Sequence, residues 1–129
     1  MHLLGIDYGR KKIGLAIAEG PLAEPYAVIR YENEEVLNKK IRKIIKKEGV
    51  ERIIVGISEG EMARETRLFG ESLERELDIP LEFFDETLTS MDATRLSVEA
   101  GIKRRKRKEF EDAYAAAIML QSHLDRKDL

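Results

Sequence analysis

Residues 3–19, LLGIDYGRKKIGLAIAE, set two apolar runs of strand length on either side of a tight bend. Leu3, Leu4, Gly5 and Ile6 make the first run, which ends at the turn residues Tyr8 and Gly9 and has the length of a short buried strand. In the second, Ile13, Leu15 and Ile17 alternate with Gly14, Ala16 and Ala18, so a strand returning antiparallel to the first is expected. Such a hairpin places Asp7 at the mouth of its first strand. A carboxylate there is desolvated unless it finds a donor or a cation. Either Asp7 bonds to the backbone of its own turn, as Asp often does, or it belongs to a site on which other acids converge.

The hairpin also limits what can follow. PYAVIRY, residues 25–31, reads as a third strand reached through Gly20 and Pro21. Leu37, Ile41, Ile44 and Ile45 fall at helical spacing, and Gly49 closes that helix. RIIVGI, residues 52–57, is a continuous apolar run of the sort found in central parallel strands. Met62, Phe69, Leu73 and Leu77 trace a helix over residues 61–77, and Pro80 leads into the strand LEFF, residues 81–84. A capping box at Thr89–Asp92 starts a helix ended by Gly101, and a last helix is expected from Glu109 to Asp125. A meander joined to crossover units predicts an α/β fold: one five-stranded mixed sheet, antiparallel meander then parallel strands, flanked by helices. The length, 129 residues, fits one domain spanning residues 1–129.

Composition removes several chemistries. The chain has no cysteine, and its only histidines are His2 and His123, which argues against disulfides, thiolate zinc, histidine-based metal clusters and serine triads. No apolar stretch approaches the roughly 20 residues of a membrane span, and no secretory pattern opens the chain. A cytoplasmic protein without a membrane partner is expected. Lys and Arg number 23 against 25 Asp and Glu, so total charge announces no polyanion; the distribution of charge does. KRRKRK is a block of six bases: Lys103, Arg104, Arg105, Lys106, Arg107 and Lys108. Arg10, Lys11 and Lys12 flank Asp7. Basic segments beside acids suit the gripping of a phosphate backbone, which positions a nucleic acid without reading its bases.

Two further places carry acids. DETLTS puts Asp85 and Glu86 at the carboxyl end of a strand, where ligands bind in open α/β sheets. Successive strand residues face opposite ways, so one of the pair faces any given site, and the sequence does not say which. EDAYAAAIMLQ, residues 111–121, is apolar from Ala113 to Leu120; such a helix is buried, and its alanines allow close approach to the sheet. Asp112 stands at the opening of this run. Local roles compete here too, as a cap for Asp85 or Glu86 and as a helix-dipole partner for Asp112. Acids gathered at one sheet edge repel unless cations neutralise them. Hard divalent ions prefer oxygen, so Mg²⁺ or Mn²⁺ is the expected cofactor. Two such ions can activate water and stabilise the leaving oxygen in phosphodiester hydrolysis.

GIDYGRKKIGLAIAE, IIVGI, DETLTS and EDAYAAAIMLQSHLD occur in an order, and over nearly the whole chain, that resembles the YqgF family. Its bacterial members are described as Holliday junction resolvases and as pre-16S rRNA nucleases. The resemblance implies a ribonuclease H-like fold and a Mg²⁺-dependent nuclease maturing the 5′ end of the 16S rRNA precursor in the cytoplasm. It places the catalytic and metal-binding acids on Asp7, Asp85, Glu86 and Asp112. The chain departs from the pattern at Thr87, where the family has Arg, at SEGEM (residues 58–62), where a longer Pro-Leu-Asn-Gly loop is usual, and at Phe110, where a basic residue is common. Structured RNA is the expected partner of a monomer or homodimer. The alternatives are a resolvase of branched DNA and a catalytically weak RNA-binding module. GIDYG also resembles the phosphate loop of actin- and sugar-kinase-type ATP-binding proteins, which use two such domains where this chain supplies one.

Overall fold

Central strands that are apolar on both sides need cover on both faces, and the sheet has it. The computed structural model describes residues 1–88 and 104–127. Strands β1 (Leu3–Asp7), β2 (Lys12–Ala18), β3 (Ala23–Arg30), β4 (Arg52–Ile57) and β5 (Leu81–Asp85) form one sheet of order β3-β2-β1-β4-β5. The pairs β1–β2 and β2–β3 are antiparallel, whereas β1–β4 and β4–β5 are parallel, the mixed sheet expected from the sequence. Helices α1 (Glu34–Glu48), α2 (Glu61–Leu77) and α3 (Arg104–Lys127) accompany it, and a short 3₁₀ turn, Glu86–Leu88, follows β5.

Strand alternation sorts the core into two layers. Leu4, Ile6, Ile13, Leu15, Ile53 and Val55 meet Leu37 and Ile41 of α1 and Phe69 and Leu73 of α2. On the opposite face Leu3, Ala16, Ala18, Ile54 and Phe84 meet Ala116, Ala117, Met119 and Leu120 of α3. His123 is buried on α3 beside these residues, its Nε2 in close contact with the Glu82 carboxylate and its ring edge-on to Phe84 at 5.7 Å. That contact ties α3 to β5. Helix α1 ends at Gly49 as its sequence predicts, and its start is capped by a residue the periodicity does not single out. Asn33 Oδ1 accepts from the amides of Glu35 and Val36 at 2.8 and 3.2 Å, and Gly49 ends the helix at φ 65°.

The structure differs from the sequence reading in two described places. Strand β3 begins at Ala23, ahead of Pro25. Proline is accommodated because β3 is an edge strand and its pairing with β2 shifts register between Leu15 and Ala16. Helix α3 begins at Arg104 instead of Glu109, so the basic run from Arg104 to Lys108 is part of the helix and does not precede it. Lys and Arg are good helix formers, which accounts for the extension. The helix expected from Thr89 to Gly101 lies outside the described residues. No helix among the described residues is long and apolar enough to cross a membrane.

Candidate active site

Asp7 is the last residue of β1, the strand at the centre of the sheet, and its two register partners are both glycines: Gly14 on β2 and Gly56 on β4. Side chains opposite one another on neighbouring strands share a face, so Asp7 stands in a row with an empty place on each side. Each place is filled by an acidic residue from elsewhere. A Cβ on Gly14 would lie 1.9 Å from the Asp112 carbonyl oxygen and 2.8 Å from the Ala113 amide nitrogen. The backbone of α3 therefore rests on the sheet where Asp112 begins its apolar stretch. A Cβ on Gly56 would lie 2.9 Å from Glu86 Cγ and Cδ, so the Glu86 side chain occupies that gap. Neither glycine is needed for backbone flexibility; both are needed for space.

The electrostatics follow from this convergence. The Asp7 carboxyl is pushed up to about 8, first by burial, then by the charge of Glu86 and a hydrogen bond with it, and then by the charge of Asp112. At neutral pH, with no cation beside it, Asp7 therefore holds a proton. Asp112 has a different neighbour, since Lys12 Nζ lies 2.9 Å from its Oδ2. Lys12 thus neutralises part of the acid row, a role distinct from the phosphate contact expected of it.

The bend after Asp7 is held from several sides. Tyr8 stacks on Phe69 with ring centroids 4.5 Å apart, and the Tyr31 hydroxyl donates to the Gly9 carbonyl. The Tyr31 amide donates to the Lys11 carbonyl at 3.0 Å. Arg10 Nε donates to both Glu65 carboxylate oxygens, at 3.0 and 2.8 Å, and Arg10 Nη2 lies 2.7 Å from Oε2. Arg10 is accordingly an ion-paired brace, while Lys11 stays exposed.

Of the adjacent acids at the end of β5, the structure brings Glu86 to Asp7 and leaves Asp85 aside. Phe84 is the register partner of Gly56, so Asp85, one residue on, pairs with Ile57 and faces away from the acid row. Its exposed carboxylate accepts from the Thr87 amide at 2.9 Å and the Thr87 hydroxyl at 2.7 Å, and these bonds hold it below its usual range. Asp85 thus caps its own turn, and of the pair that the sequence leaves undecided it is Glu86 that stands beside Asp7. Arg104, Arg105, Lys106, Arg107 and Lys108 form the opening of α3 upstream of Asp112, whereas Lys103 lies outside the described residues.

Three carboxylates from β1, the turn after β5 and α3 supply hard oxygen donors suited to Mg²⁺ or Mn²⁺. Among the described residues, no three acidic or histidine side chains already stand at metal-ligating positions around one point. Asp112 instead pairs with Lys12, and Glu86 beside Asp7 favours the protonated form of its carboxyl. The donor set fits such an ion in kind.

Residues 1–126 match the model of the family described as RuvX, Holliday junction resolvase. A Moorella thermoacetica protein named "Putative pre-16S rRNA nuclease" is 35% identical over 134 residues, covering 98% of this chain and 96% of the relative. A protein of the same name from Halothermothrix orenii is 38% identical, covering 97% of this chain and 95% of the relative. The fold is similar to that of Thermus thermophilus RuvC, solved in complex with a Holliday junction substrate, with a TM-score of 0.64 at 14% identity and coverage of 98% and 96% of the two chains. The RuvC likeness concerns architecture alone, but the match along residues 1–126 and the identity to full-length relatives settle the relationship: this chain belongs to the RuvX family of nucleases.

Proposed function

We propose that this chain is a divalent-metal-dependent nuclease acting on structured RNA, with 5′ processing of precursor 16S rRNA in the cytoplasm as its reaction. Asp7, Glu86 and Asp112 are its catalytic acids. The observation that carries this reading is the row Gly14–Asp7–Gly56, in which both flanking side chains are absent and two further acids are admitted. The names of the relatives supply the substrate.

Asp7, Glu86 and Asp112 would hold the ion or ions, whose chemistry when bound is a water of lowered pKa and stabilisation of the leaving oxygen. The chain's own groups prepare for this. Asp7 keeps a proton on its carboxyl when no cation is present, which limits repulsion in the row. Lys12 holds Asp112 by an ion pair that a stronger cation can replace. The braced bend fixes Asp7 from behind, so the carboxyl is positioned before substrate arrives.

Asp7→Asn should reduce cleavage of a precursor 16S rRNA fragment in Mg²⁺ by about a thousandfold or more, as expected when a group acting only on the transition state is removed. Its circular dichroism should stay that of the parent. Undiminished cleavage by Asp7→Asn would remove the site. A second reading, cleavage of branched DNA, is favoured by the family's description. It requires two sites in one particle, so a four-way junction assay with light scattering decides between a junction-cutting dimer and a monomer that cuts only RNA.

A further inference from the structure

An open groove of about 860 Å³ lies between the bend after β1, the end of β3 and the start of α1, with Arg10, Lys11, Arg30, Glu32 and Lys40 in its lining. Arg10 is neutralised by Glu65. Among the described residues no carboxylate is ion-paired to Lys11, Arg30 or Lys40. These three exposed cations surround open solvent, and Glu32 is the one acid in the groove lining, an arrangement that attracts a polyanion.

The groove connects with the acid row. Lys12 and Arg30 are register partners on β2 and β3, and they lie on the face that carries Asp7, one step further toward the strand ends. Lys12 reaches Asp112, and Arg30 also lines a cleft with Val28 on β3 and Glu109 and Phe110 on α3, in the turn before Asp112. Arg30 therefore borders both the acid-row side and the groove. Tyr31 is the one aromatic residue in the lining, so the groove offers no run of stacking platforms and its affinity is chiefly electrostatic.

We propose that this groove carries the phosphate backbone of the substrate strand away from the acid row, with Lys11, Arg30 and Lys40 each facing phosphates. The inference rests on the nuclease reading for the identity of the polyanion. The contacts are independent of base sequence, and RNA and DNA share the phosphates that make them.

The test is fluorescence anisotropy of a labelled 20-nucleotide RNA, and of DNA of the same sequence, binding to the full chain in an Asp7→Asn background at a series of salt concentrations. Arg30→Glu with Lys40→Glu should weaken binding of both oligonucleotides at least about tenfold at low salt. The neutral pair Arg30→Gln and Lys40→Gln should flatten the slope of log affinity against log salt by about 0.7 per lost phosphate contact. Both positions are exposed, so melting temperatures should stay near that of the parent. Lys39→Glu with Lys46→Glu makes the same change in net charge on exposed α1 positions outside the groove lining and should have a much smaller effect. Parent-like affinity in the Arg30 and Lys40 variants, or equal loss in the Lys39 and Lys46 control, overturns the groove. The two readings fail separately. Cleavage abolished by Asp7→Asn with parent-like binding by the groove variants keeps the nuclease and loses the groove; cleavage surviving Asp7→Asn with weakened binding does the reverse.

Discussion

The two faces of the sheet are built from different materials. Under α1 and α2 the strands present Leu4, Ile6, Ile13, Leu15, Ile53 and Val55, large aliphatic groups that fill the space between sheet and helices. Under α3 they mix Leu3, Ile54 and Phe84 with Gly5, Gly14, Ala16 and Ala18, and the helix answers with Met119 and Leu120 but also with Ala113, Ala116 and Ala117. The first face buries more hydrocarbon per residue and so contributes more to stability. The second gives up part of that contribution to let a helix backbone touch the sheet. Small residues bring Asp112 to Asp7 at a distance that a leucine-lined interface would not allow. Stability and site thus sit on opposite sides of the same strands, sometimes on successive residues.

Gly14 and Leu15 are such a pair, and they test the division between the faces most directly. Gly14→Ala places a methyl group 1.9 Å from the Asp112 carbonyl oxygen, so α3 has to move outward. A displacement on the order of 1 Å should lower cleavage about a hundredfold, with overpacking costing roughly 1–3 kcal/mol. Leu15 is fully buried on the other face. Leu15→Ala should cost about 2–5 kcal/mol in urea denaturation while turnover, measured well below the melting temperature, stays within a few-fold of the parent. If Leu15→Ala loses activity as steeply as Gly14→Ala, the division of labour between the faces is wrong.

The acid row should register in the pH dependence of stability. A carboxyl whose folded pKa is about 8, against an ordinary 3.8, favours the native state while protonated. This contribution is fully present below about pH 4, is lost progressively as pH rises toward 8, and changes little above that. Without divalent ions the melting temperature should therefore fall between pH 5 and 8 more steeply for the parent than for Asp7→Asn, which has no proton to lose there. Adding Mg²⁺ at pH 8 should recover stability in the parent alone, since an ion bound only by the native state stabilises it. Parallel curves for the two proteins would mean that Asp7 is not held protonated by its neighbours. Variants on the aliphatic face should keep the parent's slope.

The comparison also explains which parts were legible in the sequence. Alternation and continuous apolar runs gave the five strands and their mixed order because both signals report burial, a local property of each strand. Asp7 stood out as an acid ending a buried strand, and Asp112 as an acid opening a buried helix. Gly14 and Gly56 passed unremarked, although an isolated glycine inside a strand is a known sign of close approach by another group. What approaches, α3 on one side and Glu86 on the other, is settled by residues far away in the chain. The same holds for Lys12, whose partner Asp112 lies 100 positions downstream. The basic run carries no apolar periodicity, so the start of α3 at Arg104 escapes that signal although Lys and Arg are good helix formers.

Asp85 and Glu86 show the same contrast at the scale of one peptide bond, and they give the smallest effect. Strand parity points Asp85 away from the row that holds Phe84, Gly56 and Asp7 and returns the next residue, Glu86, to that face, where its side chain fills the place beside Gly56. Thr87 uses both its amide and its hydroxyl to hold the Asp85 carboxylate. Asp85→Asn keeps an acceptor for the Thr87 amide, so turnover should stay within about twofold of the parent, the size expected for an exposed substitution. Glu86→Gln, measured beside it in the same Mg²⁺ assay, should lose most activity. The reverse ranking would mean that the turn reorganises to present Asp85 when substrate binds, and the acid row would then have to be redrawn around the other member of the pair.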